Sequence, residues 1–219
     1  MPNRTPDAQS TARVTRTGAG LAASLALAAV LTAAAVPAQA HTPPGDRHGR
    51  PSAASCRGQG VDPDAKIRYE TDMVIDAPLS TIWKLQTDVE GWPSWQPPVL
   101  SAERLDAGKP RKGSRFHWTT PVPATPTTPA TTLGITSTVR QIKDKKCVLW
   151  TGPAIGEGLT IDRGVHLWTF TKVKGGVRVH TEETWTGEQV EADVALSTQY
   201  LGMGLEAWLR DLKSAAETR

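Results

Sequence analysis

The chain has 219 residues, enough for one domain of ordinary size and hardly for two. It carries 25 basic and 22 acidic residues, and eight tryptophans against two phenylalanines and two tyrosines. Three of the bases and one acid fall in the first forty residues, so 22 bases (25 − 3) face 21 acids (22 − 1) thereafter; that balance excludes the concentrated basic face a nucleic-acid binder needs.

Residues 1–40 read as a signal peptide. Arg4, Arg13 and Arg16 stand in a polar leader with Asp7 its one acid, and an Ala- and Leu-rich run follows over 18–36. Pro37-Ala38-Gln39-Ala40 then places small residues where signal peptidase cuts, predicting cleavage after Ala40 and export. A retained anchor is the rival reading, but the run is weakly apolar for a span of about 20 residues. No second apolar run follows, so no stable membrane span is expected after cleavage. The leader has no adjacent arginine pair, which favours the general secretion route over the twin-arginine one.

Residues 41–65 are rich in Pro, Gly, Ser and charge, a composition that predicts a disordered linker. Cys56 lies in it and Cys147 at the start of a later strand. In an oxidising compartment the two can form a disulfide stapling the tail to the sheet edge; two unpaired thiols are the other reading. Neither has a second ligand at short spacing, so no metal site is expected.

The folded domain is expected over 66–219. Alternation of Ile67, Tyr69, Thr71, Met73 and Ile75 predicts a strand over 67–76. Asp76-Ala77-Pro78 then suits a helix start, with Asp76 or a neighbour capping and Leu79, Ile82, Trp83 and Leu85 on one face. A second short helix or turn over 88–95 is broken by Gly91-Trp92-Pro93. Strands follow over 99–106, 114–119, 132–142, 147–152, 160–173 and 177–186, the last two joined through Gly175-Gly176, a tight-hairpin signal. The Pro/Thr segment 119–132 reads as an extended loop, either a lid or a variable insertion. From residue 188 the period becomes 3.6, with Val190, Val194, Leu201, Leu205, Trp208 and Leu212 in one stripe. A single helix of roughly 28 residues, about 40 Å long, is expected. Gly202 and Gly204 interrupt it and predict a kink or a close approach.

Strand, helix pair, meander and long final helix make an α+β helix-grip arrangement, a curved antiparallel sheet of six or seven strands around the C-terminal helix. Val74-Ile75-Asp76-Ala77-Pro78, Ile82-Trp83, Thr87-Asp88-Val89-Glu90, Trp92-Pro93 and Trp95 carry a resemblance, continued by Gly113, Phe116, Trp118, Trp150-Thr151-Gly152, Trp168-Thr169-Phe170, Thr181-Glu182-Glu183 and Gly187. On these residues 66–217 resembles the SRPBCC superfamily (the START and Bet v 1-like fold), within it the polyketide cyclase/dehydrase-like group. The resemblance implies a deep apolar cavity between sheet and helix, and a hydrophobic small molecule as its ligand. The export leader and the Pro/Thr loop depart from the commoner cytoplasmic members.

Trp118, Trp150, Trp168 and Trp185 sit on alternating strand positions that suit such a wall, joined by Trp92, Trp95, Phe116 and Phe170. Core filling is the alternative for any one of them. His166 shares its face with Trp168 and Phe170, and Glu183 shares its own with Val179, Thr181 and Trp185. If the hairpin brings these faces together, the two pair and either orient a ligand hydroxyl or act as acid and base; a structural hydrogen bond is the bland reading. His117 and His180 fall on the opposite faces and are expected in solvent. Tyr200 and Met203 flank the helix stripe and suit a cavity entrance. No nucleophile turn, P-loop, dinucleotide fingerprint or zincin motif occurs, and no cofactor is expected. An exported binder of an apolar or aromatic molecule is the leading reading. A cyclase- or dehydrase-like enzyme using His166 and Glu183 is the second, and a non-catalytic protein- or envelope-interaction domain the third.

Overall fold

In the computed structural model the structure describes residues 54–125 and 128–219. The expected signal peptide, and the expected linker up to residue 53, lie outside the described residues. The elements in chain order are β1 (Ile67–Ile75), α1 (Leu79–Thr87), a 3-10 turn (Val89–Ser94), β2 (Ser101–Arg104), β3 (Arg115–Val122), β4 (Thr131–Lys143), β5 (Cys147–Gly156), β6 (Leu159–Val173), β7 (Gly176–Thr186), α2 (Glu188–Glu191) and α3 (Val194–Glu217). The strands form one antiparallel sheet ordered β1-β7-β6-β5-β4-β3-β2. It is curved and does not close, and α3 packs into its concave side against β1 and β7. This is the helix-grip α+β fold.

Several boundaries move, each for a physical reason. The C-terminal helix is two helices, because Asp193 leaves helical geometry and its side chain accepts from the Leu196 amide as an N-cap. Gly202 lies within the unbroken span of α3 and admits β1, since a Cβ there would lie 2.7 Å from the Tyr69 ring. The 119–132 loop shrinks, with Thr120, Pro121 and Val122 pairing Leu133, Thr132 and Thr131. Pro121 lies beyond the end of β2, where β3 has become an edge that needs no further donor. β5 continues to Gly156 because a bulge between Gly152 and Ala154 accommodates Pro153. Asp76 does not cap α1; Pro78 takes that position without a side-chain bond, and the Asp76 amide donates to Glu217 instead.

Both sheet faces are covered. On the concave side one cluster gathers the tryptophans under α1 and the far end of α3, and a second gathers Ile67, Leu133, Ala154, Ile161, Leu201 and Leu205. On the outer side Cys56 and Val61 bury Leu149, Val165 and Leu167, and a Cys56–Cys147 disulfide fixes them there, Cα atoms 5.4 Å apart. Residues 54–65 are therefore a packed strap and not the linker their composition suggests, because two buried side chains and one covalent bond hold them. The Gly175-Gly176 hairpin has positive φ at both positions, and a Cβ on Gly176 would fall 2.1 Å from the Ile75 carbonyl oxygen. No described helix is long and apolar enough to cross a membrane.

The disulfide joins residues 91 apart, and constraining so long a loop in the unfolded chain is worth about 4 kcal/mol. Replacing both cysteines by serine is expected to lower unfolding free energy by about that amount in urea titration. Gly202→Val should cost about 1–3 kcal/mol by overpacking against Tyr69 in the same assay.

Candidate functional site

The concave face is dominated by aromatic rings that touch each other. Trp92, delivered by the 3-10 turn, lies 5.5 Å from Phe116, 5.8 Å from Trp118, 6.0 Å from Trp150 and 5.1 Å from Trp208 between ring centroids. Trp208 in turn reaches Trp118 at 5.5 Å and Trp168 at 5.9 Å, and Phe170 meets Trp83 edge-on. Edge-to-face contacts of this kind add to the gain from burial. Gln86 ties them together: its carbonyl accepts from the Trp92 indole and its side-chain oxygen from the Trp208 indole.

At this end of the grip, aromatic rings take up much of the space expected for a deep cavity. Trp92, Phe116, Trp150, Trp168 and Phe170 fill the space they were expected to wall, because α3 adds a further indole, Trp208, from the opposite side. A small void of about 30 Å³, room for a water, lies between Gln86, Phe116, Val139, Val148 and Trp150. Larger depressions of about 400 to 680 Å³ are open grooves, none lined by His166 or Glu183.

The ring cluster ends on a polar layer. β6 and β7 pair with His166 opposite Glu183, so both side chains enter the concave side at one level. His166 Nδ1 lies 3.1 Å from Glu183 Oε2, and His166 Nε2 lies 2.8 Å from the Thr181 hydroxyl. The Trp185 indole donates to Glu183 Oε1 at 2.9 Å. Gly164 leaves room for that carboxyl, since a Cβ there would come within 3.3 Å of it. Across β1, Tyr69 stands opposite Glu183, and its hydroxyl donates to Glu206 of α3 at 2.5 Å. The Glu206 bond and burial push the Tyr69 hydroxyl above its ordinary value.

Burial sets the protonation. It pushes Glu183 up to about 7, against a smaller lowering by the Trp185 bond, and pushes His166 down to about 3. In mildly acidic solution the pair is thus a neutral carboxyl beside a neutral imidazole. Oε1 already accepts from Trp185, so the carboxyl proton belongs on Oε2 and is donated to Nδ1; Nε2–H then donates to Thr181. Glu183 keeps 17% of its side chain accessible and His166 only 4%, so any approach is from the Glu183 side.

Other expected site residues are placed as follows. Trp185 belongs to the polar layer, while half-buried Trp118 and Trp95 edge the ring cluster; the Trp118 indole donates to Ser137 and the Trp95 indole is buried without a partner. Tyr200 is half-buried, and Met203, 57% exposed, points to solvent, so no entrance contact is made by it. His117 and His180 are not free in solvent: His117 Nδ1 bonds the Thr136 hydroxyl at 3.1 Å, and His180 Nε2 is buried without a hydrogen-bond partner. Tyr69, Gln86, Glu206 and Trp208 were not foreseen as site residues. Trp208 was visible in the helix stripe, but its opposition to Trp92 follows only from how α3 lies across the sheet.

A curved, unclosed antiparallel sheet gripping one helix defines the START and Bet v 1 class. Residues 66–217 match the family model described as polyketide cyclase / dehydrase and lipid transport, and the chain belongs to that family. Among solved structures it is similar to a START superfamily protein from Mycobacterium smegmatis, at 11% identity over 69% of this chain and 97% of that one, with a TM-score of 0.56. Ara h 8.0201 matches at 13% identity, 69% and 98% coverage and a TM-score of 0.55. The Zhui aromatase/cyclase from a Streptomyces species matches at 13%, 69% and 94%, with 0.54. No curated protein matches the chain.

The opposed shifts give stability a defined pH dependence. Glu183, raised in the folded state, contributes stability below its ordinary 4.5 that is lost as pH rises towards about 7. His166, lowered, contributes stability above its ordinary 6.5 that is lost as pH falls towards about 3. Between about 4.5 and 6.5 the two slopes oppose, so the pair's net contribution is nearly flat. Glu183→Gln should unmask a rise of up to about 1.4 kcal/mol per pH unit across that window. His166→Gln should unmask a fall of similar size, read by urea unfolding at stepped pH.

Proposed function

We propose that the chain is an exported binding domain that holds an apolar or aromatic small molecule at the Glu183 end of the grip. The observation that carries this is the 3.1 Å contact of the Glu183 carboxyl with the His166 imidazole, edged by Tyr69 and Trp185 and partly open, where burial favours the neutral form of both groups. Such a group binds a ligand hydroxyl or carbonyl without the cost of a bare buried charge. Half-buried Trp118 packs on Trp208 at the border of the rings, so a ligand reaching past the polar layer has to displace it. The family's description includes lipid transport, and one structural relative is an aromatase/cyclase; both concern compounds of this class. Export is supported by the leader and by the Cys56–Cys147 bond, which suits an oxidising compartment.

Acid/base catalysis by the same pair is a second reading, favoured by a Glu183 value near 7, where one group can both give and take a proton. Titrating tryptophan fluorescence with polycyclic phenols and fatty acids tests both, with native mass spectrometry of protein from its own host to find a retained compound. Micromolar binding is expected, tightened in Trp118→Ala and weakened about tenfold or less in Glu183→Gln. Turnover abolished by Glu183→Gln and His166→Ala with binding kept would favour the enzyme. Failure of every compound to bind wild type and Trp118→Ala alike would remove both and leave an interaction domain.

A further inference from the structure

Consecutive strand residues face opposite ways, so Glu182 points outward where Glu183 points in. On that outer face Glu70 of β1 stands directly opposite Glu182 of β7, and His180 lies two residues along the same strand. The nearest ligand atoms of Glu70, His180 and Glu182 all lie within 4.8 Å of one another.

Two carboxylates directly opposite across a strand pair repel. One is also buried: Glu182 is 1% exposed, beside Leu167, which the disulfide strap covers. Burial pushes its carboxyl up, Arg68 pulls it down, and Glu70 pushes it up again. Arg68 forms an ion pair with it through Glu182 Oε1. That contact holds one carboxylate oxygen of Glu182, while the buried Nε2 of His180 has no hydrogen-bond partner among the described residues. Glu70 has no ion-pair partner among the described residues. An imidazole whose buried nitrogen lacks a partner, beside one buried and one exposed carboxylate, is the donor set of a borderline transition-metal dication.

We propose that Glu70, His180 and Glu182 form a binding site for a divalent transition-metal cation of the zinc type on the outer face of the β1–β7 pair. One imidazole nitrogen and one oxygen from each carboxylate supply three ligands, with water completing a tetrahedron. Arg68 is then a competitor: it holds one Glu182 oxygen when the metal is absent and gives it up when the metal binds. The cation links the edge strand to its neighbour beside the strap, independently of the concave site.

Calorimetry of untagged, chelator-stripped full chain with Zn²⁺ is the test, with Co²⁺ absorption as the signature of mixed nitrogen and oxygen ligation. One ion per chain is expected, with affinity falling tenfold or more in His180→Ala and in Glu70→Gln and rising in Arg68→Met, which removes the competitor. Glu70 is exposed and its variant should fold normally, so the result does not hinge on the buried Glu182. Absence of stoichiometric binding, unchanged affinity in both ligand variants, or loss confined to His41→Ala and His48→Ala would overturn the proposal. Glu183→Gln should leave zinc affinity unchanged, separating this site from the ligand-binding reading.

Discussion

An open sheet has two faces and both must be removed from water, yet the described residues include only one long helix. The rest of the structure answers that constraint. On the concave side α3 runs along β1 and β7, and the area it leaves uncovered is filled by indoles from the 3-10 turn, β3, β5 and β6 meeting Trp208. Burying an aromatic side chain contributes on the order of 2–3 kcal/mol, so a cluster of this size is a large share of the core. On the outer side, among the described residues, a short strap with Cys56 and Val61 covers the apolar patch in place of a helix. Two side chains alone would hardly offset the ordering of a dozen residues, and the covalent bond to Cys147 removes much of that entropy cost.

The polar layer gains its chemistry from this packing. His166 and Glu183 lie where the ring cluster stops, deep enough that neither keeps an isolated charge cheaply. Folding shifts the preferred proton site from the imidazole to the carboxyl, and the Trp185 and Thr181 bonds fix which atom holds it. The ring cluster is thus more than filler: it sets the dielectric surroundings of the His166–Glu183 pair.

Much of this was legible in the sequence. Alternation put His166 and Glu183 on inward faces, and Gly175-Gly176 fixed the hairpin that makes them opposite. The helix-grip order followed from one change of period, near residue 188. Hidden were features decided by approach between distant elements. The filling of the grip depends on Trp92 meeting Trp208, and the strap on residues 54–65 finding a patch made of β5 and β6. Composition misread the strap because a Pro/Gly/Ser-rich segment can be ordered by very few contacts when one of them is a bond. The helix break was written in Asp193, a good N-cap residue, but the apolar stripe ran past it.

The bond between Cys56 and Cys147 also makes a closed covalent ring out of everything between them, β1 to β4 and the proline-rich stretch 123–130 included. A protease that severs the backbone in that stretch opens the ring without releasing a fragment: the two halves stay tethered, and β3 and β4 remain laced into the sheet by β2 and β5. The Pro/Thr segment can therefore suffer scission in a degradative environment while the molecule persists as a nicked but intact unit.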